Sequence, residues 1–342
     1  MKHTSFPKIG QFRQTVMDVK HMSAYTGKDE LGNAIYDFTL PKPTLTFKGT
    51  VKLHGTNSGV GYNKADGLWA QSRGNIITPE NDNYGFAKFV EDNKESFLEL
   101  HEHIRFVHPE LKDGDDVIIF GEWAGGSIQK GVAISGIEKS LFIFDVKVKP
   151  ENGEDAYHLP PYYLNDNDNN IYNIEDYLSY NIDIDFEAPE KSQNKLAEIT
   201  EAVEQLCPVG KAFGVEGIGE GVVWTGEYKG KRLWFKVKGD KHSVTKNKTL
   251  AKVDTEKLAN IDEFVEYAVT EARLEQGLAE IFPDGQLVTP KIGAFLKWMM
   301  SDIIAEESDT MEDNGLTPKD VGRYVSDKAK KYFFKKYNDL TS

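Results

Sequence analysis

From Thr44 to His54 apolar and polar residues alternate one for one. Leu45, Phe47, Gly49, Val51 and Leu53 occupy one parity; Thr44, Thr46, Lys48, Thr50, Lys52 and His54 occupy the other. A period of two belongs to a β-strand with one buried face. The strand sets Lys52 and His54 on the same polar side, and Gly55 behind them marks a turn. Whatever this chain folds into must therefore present the end of a strand that reads K-L-H-G-T-N.

Other strands follow. D-G-L-W-A-Q-S-R (66–73) comes after a turn. D-V-I-I-F-G-E-W (116–123) puts Ile118, Phe120 and Glu122 on one face, and L-F-I-F-D-V-K-V (141–148) is strongly β-prone. R-L-W-F-K-V-K (232–238) sets Trp234, Lys236 and Lys238 opposite Leu233, Phe235 and Val237, and G-V-V-W (221–224) precedes it. Helices are expected over 84–107, where Phe86, Phe89, Val90, Phe97 and Leu100 form an apolar stripe, and over 193–206. After about residue 250 the pattern turns helical, over 254–282, 289–308 and 317–338. Thr289-Pro290 and Thr317-Pro318 each read as an N-cap followed by proline at the first helical position. Residues 1–40 show no clear pattern. The expectation is an α+β domain over 1–245 and a smaller all-helical C-terminal domain over 246–342.

The 342 residues are enough for two domains, and a content of 39% hydrophobic and 28% charged residues suits a soluble globular protein. No apolar run is long enough to span a membrane, and M-K-H-T-S-F-P-K-I-G-Q-F lacks the apolar core of a signal peptide. The single cysteine, Cys207, excludes an intrachain disulfide and a cysteine zinc cluster. A cytoplasmic location and a monomer are expected. The net charge of −14 is uneven: residues 151–205 hold 14 Asp/Glu and 2 Lys/Arg, whereas 229–252 hold 9 Lys/Arg against Asp240 alone. A polyanion would meet that basic strip, not the average. The acidic stretch carries no motif and reads as a solvated lobe, with N-D-N-D-N-N (165–170) as a loop.

The polar faces suggest chemistry. A lysine nucleophile needs neighbours that suppress its charge, and Lys236 and Lys238, two residues apart on a strand, make a phosphate clamp. Carboxylates on apolar strands, such as Glu122 and Glu220, often hold a divalent ion or a ribose hydroxyl. Phe144, before Asp145, offers a ring on which a base could stack. Taken singly, each has an ordinary reading: a snorkelling strand lysine, a salt-bridged edge carboxylate, a core phenylalanine. His101, His103 and His108 are poorly spaced for a shared ligand on a helix and are assigned to packing or the surface. Cys207 reads as a small apolar filler.

Order and spacing single out a family. K-L-H-G, S-R-G-N, F-G-E-W with G-G-S-I-Q-K-G-V behind it, L-F-I-F-D-V, E-G-V-V-W and W-F-K-V-K occur in that order across about 45–240. This set resembles the motifs of the covalent nucleotidyltransferases, ATP-dependent polynucleotide ligases and capping enzymes. The histidine at position 54 makes it most similar to the phage-type RNA ligase 2 family, because DNA ligases and capping enzymes usually carry aspartate there. Glu216-Gly217 and Glu220-Gly221 both offer the fourth motif, and the strand directly after Glu220 favours the second.

The resemblance implies a nucleotidyltransferase domain of ATP-grasp-like antiparallel sheets with helices. It implies that Lys52 attacks the α-phosphorus of ATP and becomes a lysyl-adenylate, with His54 serving a later step and Gly55 letting the backbone pass close to the nucleotide. Asn57 would contact the substrate phosphate or the nucleotide, Arg73 and Glu122 would position the ribose and phosphate, and Phe144 would stack on adenine. Glu220, with Glu122, would hold Mg²⁺ or Mn²⁺, and Lys236 and Lys238 would grip the α-phosphate. Asp145, from the aromatic–aspartate motif, joins the catalytic set. The AMP would pass to an RNA 5′-phosphate, and a 3′-hydroxyl would close the strand, at nicks in duplex RNA. Apart from the resemblance, the basic residues of 319–336, seven against two aspartates, read either as a contact for RNA backbone or as a charged solvent face. The competing readings are a DNA ligase or capping-type enzyme, which usually appends a barrel where this chain turns helical, and a non-catalytic RNA-binding protein that keeps the fold.

Overall fold

The computed structural model describes residues 1–126, 128–239, 255–283 and 285–341. The strands are β1 (Gly10–Gln11), β2 (Tyr25–Lys28), β3 (Ala34–Tyr36), β4 (Thr44–Lys52), β5 (Thr56–Asn63), β6 (Gly67–Ser72), β7 (Ile76–Ile77), β8 (Asp116–Ala124), β9 (Ser140–Lys149), β10 (Tyr157–Leu159), β11 (Ile171–Asn173), β12 (Ser179–Asp185), β13 (Gly221–Tyr228) and β14 (Lys231–Lys238). The α-helices are α1 (Phe12–Ala24), α2 (Phe86–Asp92), α3 (Lys94–Val107), α4 (Gln193–Gln205), α5 (Pro208–Ala212), α6 (Thr255–Ala268), α7 (Glu271–Ile281), α8 (Ile292–Asp313) and α9 (Pro318–Thr341). The fold is α+β, with mainly antiparallel sheets followed by a helical C-terminal region. No helix among the described residues is long and apolar enough to cross a membrane.

Residue contacts divide the chain into two units. Among the described residues, one contains those of 1–15, 45–184 and 194–239; the other contains those of 16–44, 185–193 and 255–341. The expected cut at 245/246 and residues 240–252 of the expected basic strip lie outside the described residues. Two segments expected in the first domain, 16–44 and 185–193, group instead with the C-terminal helices. Glu187 accepts from Lys42 at 2.8 Å and from Lys331 at 2.9 Å, ion pairs between all three pieces of that unit. Burial works against the Glu187 charge, but Lys42 and Lys331 hold its carboxyl down at about 2. Cross-chain charge pairs of this kind leave no periodicity to read.

The first unit holds two sheets. One runs β1-β14-β13-β4-β12, and its apolar side buries Phe47, Val51, Trp224 and Phe235. At Gly49, on that side, the Trp224 ring occupies the place a Cβ would take. The other sheet runs β10-β9-β8-β5-β6-β7, with β11 pairing β9 in parallel. Val60, Ile119, Trp123 and Ile143 from it pack with Phe86, Val90 and Phe97 of α2 and α3. The single helix expected over 84–107 breaks at Asn93, and Tyr84 and Gly85, both at positive φ, delay its start to Phe86. His101 is buried in this layer, its ring 5.4 Å from that of Tyr62, and burial drops its pKa to about 3, so it packs as a neutral ring.

In the second unit the expected helix 254–282 is two helices, separated where the Thr270 hydroxyl accepts from the Arg273 N–H. Its core includes Phe264, Phe295, Met299, Val325 and Phe333. Thr289 does not cap as expected; it lies inside a short 3-10 turn whose preceding residue is Val288. Thr317 does stand before α9, where its backbone N–H and hydroxyl both donate to Asp320.

Candidate active site

Strand pairing lays the polar side of the first sheet out in rows. Gly221 of β13 pairs with Lys52 of β4 on one side and Lys238 of β14 on the other. Val223 is likewise flanked by Thr50 and Lys236, and Thr225 by Lys48 and Trp234. All of these except Gly221 line one cavity of about 540 Å³, within the range of small-molecule sites. The alternation seen from Thr44 onward thus delivers Lys48, Thr50 and Lys52 to one wall.

Glu220 closes the first row. Its side chain is 1% exposed and lies 2.6 Å from Lys52 Nζ, 2.5 Å from Lys238 Nζ and 3.4 Å from His54 Nδ1. Burial alone would raise this carboxyl, but the two ammonium groups outweigh it and hold the pKa below the ordinary range. Glu216, the rival of Glu220 for the fourth motif, is exposed and does not line the cavity. Lys236, one row on, has no ion-pair partner among the described residues. Burial, and then the charges of Lys52 and Lys238, hold its pKa below the usual lysine value.

The facing wall comes from the second sheet. Asn57 of β5 pairs across the ladder with Glu122 of β8, and Glu122 Oε1 accepts from the Gly55 N–H at 2.9 Å. Desolvation pushes Glu122 up to about 7, against the pull of Lys52. Gly55 is not at positive φ, so the expected turn is not why it is glycine. Its Cβ would stand against the Trp123 carbonyl and Ala124, so the loop between Lys52 and Asn57 lies flat on the end of β8 only without a side chain. The buried Oδ1 of Asn57 has no hydrogen-bond partner. Arg73, just beyond β6, is an exposed residue of the cavity lining.

A bulge sets the remaining pair. Phe120 of β8 pairs with Asp145 and Gly121 with Ile143, leaving Phe144 as the extra residue of β9. A bulge re-aims side chains, and here Phe144 reaches the cavity lining, packed 5.1 Å from the Phe6 ring. Asp145 does not line the cavity. It is fully buried, 2.5 Å from His158 Nδ1 and 3.6 Å from the Arg232 guanidinium. Burial pushes its carboxyl up against those two partners. Arg232 does line the cavity, so Asp145 is linked to the cavity wall through that neighbour.

The structure thus brings Lys52, His54, Asn57, Arg73, Glu122, Phe144, Glu220, Lys236 and Lys238 to one cavity and leaves Asp145 behind its wall. Sequence reasoning missed Phe6 to Ile9 of the N-terminal segment, the Lys48–Glu175 pair at 2.9 Å, and Arg232. Lys48 was findable, since it shares the parity of Lys52. Phe6 was not: it is brought in by β1 pairing with β14 and by Gln71, which bonds the backbone of Thr4 on both sides.

Glu122 and Glu220 do not form a ready chelate. Among the described residues no three carboxylate, imidazole or thiol groups converge, and Glu220 is already bridged by two lysines. The donor set does not fit a resident divalent ion held by protein alone. Three lysines and an arginine facing two carboxylates do fit a polyphosphate, which would bring its own cation.

A model of the RNA ligase family matches residues 46–238. Solved structures similar to the chain include the Naegleria gruberi RNA ligase with pyrophosphate, 17% identical with a TM-score of 0.41. They also include a mutant of that ligase with AMP and Mn, 16% identical with a TM-score of 0.42. The first alignment covers 70% of this chain and 57% of the Naegleria chain, so this chain spans less than two thirds of that protein's length. An archaeal ATP-dependent RNA ligase is 13% identical over 94% of this chain and 63% of its own, with a TM-score of 0.35. No curated protein sequence matches. The family match spans more than half of the chain and every row of the cavity described above: this chain belongs to the RNA ligase family.

Proposed function

We propose that the chain is an ATP-dependent RNA ligase of the RNA ligase 2 type, joining a 3′-hydroxyl to a 5′-phosphate at nicks in duplex RNA. The observation that carries this reading is the pairing row of Lys52, Gly221 and Lys238 closed by Glu220, with Lys236 in the next row.

Three transfers follow. Lys52 Nζ forms a bond to the α-phosphorus of ATP, and the bond to the bridging oxygen breaks with release of pyrophosphate. The amine sheds its proton to solvent before it attacks, and Glu220 Oε2, 2.6 Å away, holds the side chain in place. A 5′-phosphate oxygen of RNA then takes the AMP from Lys52. Finally the 3′-hydroxyl attacks that 5′-phosphate and AMP leaves. Lys236 and Lys238 lie where charge builds on the α-phosphate, so stabilisation comes from groups already in place. A divalent cation enters as part of the ATP substrate. His54, 3.4 Å from Glu220 on the Lys52 side of the cavity, is assigned to the transfers after the first.

The helical unit is assigned to RNA backbone contact. Among the basic residues of α9, Arg323, Lys328, Lys331 and Lys336 face carboxylates of their own unit. Lys319, Lys330 and Lys335 have no such partner among the described residues, which leaves them for phosphates. The test is sealing of a radiolabelled 5′-phosphate at a nick in duplex RNA, with ATP and Mg²⁺, beside the same nick in DNA. Preferential sealing of RNA supports the reading. Equal or preferential sealing of DNA overturns the substrate, and failure on both overturns the ligase.

A further inference from the structure

We propose that Glu175, held by Lys48, reads the edge of the nucleobase by accepting a hydrogen bond from the 6-amino group of adenine. This rests on the reading of the cavity as the ATP site. The rows of the first sheet locate the two ends of a bound nucleotide. Phosphate belongs at Lys52, Lys236 and Lys238. Lys48 is four residues back along β4, about 14 Å at the rise of a strand. A nucleotide joined to Lys52 and laid along β4 therefore brings the far edge of its base toward the row of Lys48 and Thr225.

Glu175 is delivered to the same place from the opposite wall. β11 pairs with β9 so that Asn173 stands beside Ile143, the neighbour of Phe144. Asn173 is 2% exposed, and its Oδ1 accepts from the Glu175 N–H at 3.0 Å, which fixes the short turn carrying the carboxylate. A base stacked on Phe144 thus has Glu175 near its rim, and both residues line the cavity. This is the one place where the otherwise motif-free acidic stretch 151–205 supplies a charged group to the cavity.

The chemistry is selective. Lys48 Nζ bonds Glu175 Oε2 at 2.9 Å, leaving Oε1 to accept. An ionised carboxylate only accepts, so it favours a base with a donor on that edge and disfavours one without. The pair is too exposed, at 41% for Lys48 and 28% for Glu175, to contribute much to stability by itself.

The experiment compares ATP with purine riboside triphosphate, in which hydrogen replaces the 6-amino group, as donors for labelling Lys52. Wild type should prefer ATP by roughly 10- to 100-fold in kcat/KM, the range for a hydrogen bond to a charged group. Glu175→Ala should bring the ratio near one by losing rate with ATP. Glu175→Gln, whose amide oxygen still accepts, should keep part of the preference. Equal use of both nucleotides by wild type, or an unchanged ratio in Glu175→Ala, overturns the assignment while leaving the ATP site standing. If wild type is labelled by neither, the ATP site falls and this assignment with it.

Discussion

Replacing Glu122 by glutamine should stabilise the nucleotide-free protein above neutral pH while impairing its chemistry. The Glu122 carboxyl is raised from 4.5 to about 7, chiefly by desolvation in the cavity wall. A carboxyl that binds its proton more tightly folded than unfolded destabilises the fold as pH rises. The loss begins near pH 4.5 and is complete above about 7. At 1.36 kcal/mol for each tenfold change in proton affinity, the interval comes to about 3 kcal/mol, an upper bound for a half-buried side chain. Glutamine has no charge to desolvate and can still accept from the Gly55 N–H. Thermal unfolding of wild type and Glu122→Gln should therefore coincide near pH 4.5 and diverge above pH 7 in favour of the variant. The separation should reach roughly 6–12 °C at the upper bound. Labelling by ATP should fall in the same variant. A melting difference that is the same at both pH values would refute the reasoning.

Other expectations follow from individual contacts. Gly55→Ala sets a methyl against the Trp123 carbonyl and should cost about 1–3 kcal/mol in a denaturant titration, whereas Gly293→Ala, with open space around it, should be neutral or stabilising. Bound phosphate favours the charged form of Lys236, whose pKa lies below the usual lysine value. ATP affinity should therefore weaken as pH rises through that lowered pKa, and Lys236→Arg should flatten the alkaline limb; an unchanged limb contradicts the assignment. His54→Ala should lower RNA sealing much more than adenylation, and equal loss in both assays would end its assignment to the later transfers. Joint substitution of Lys319, Lys330 and Lys335 by glutamate should weaken nick sealing and leave Lys52 labelling intact; sealing at the wild-type rate removes α9 from the RNA contact.

What could be read from the chain was what a strand writes into its own alternation. The strand with Lys52, the one with Glu122 and the one with Lys236 and Lys238 are each self-evident, and their polar faces do meet in one cavity. β5 escaped because T-N-S-G-V-G-Y-N is rich in glycine, and those glycines answer to side chains on the neighbouring strands. The Trp69 ring fills the place of a Cβ at Gly61. The aromatic–aspartate motif named Phe144 and Asp145 together, but a bulge in β9 sends one to the cavity and buries the other against His158 and Arg232. Helix boundaries moved where one residue decided them, at Asn93 and Thr270. The grouping of 16–44 and 185–193 with the C-terminal helices includes the pairs of Glu187 with Lys42 and Lys331, a relation between charges more than a hundred positions apart.

Covalent capture of AMP by Lys52 is the step on which every later transfer of the proposed reaction depends. Incubation with α-labelled ATP and Mg²⁺, followed by denaturing electrophoresis, reads it directly. Wild type should carry a label that survives denaturation, and Lys52→Ala should carry none. A label that persists in Lys52→Ala would place the nucleophile elsewhere, and an unlabelled wild type that was free of AMP at the start would contradict the ligase chemistry altogether.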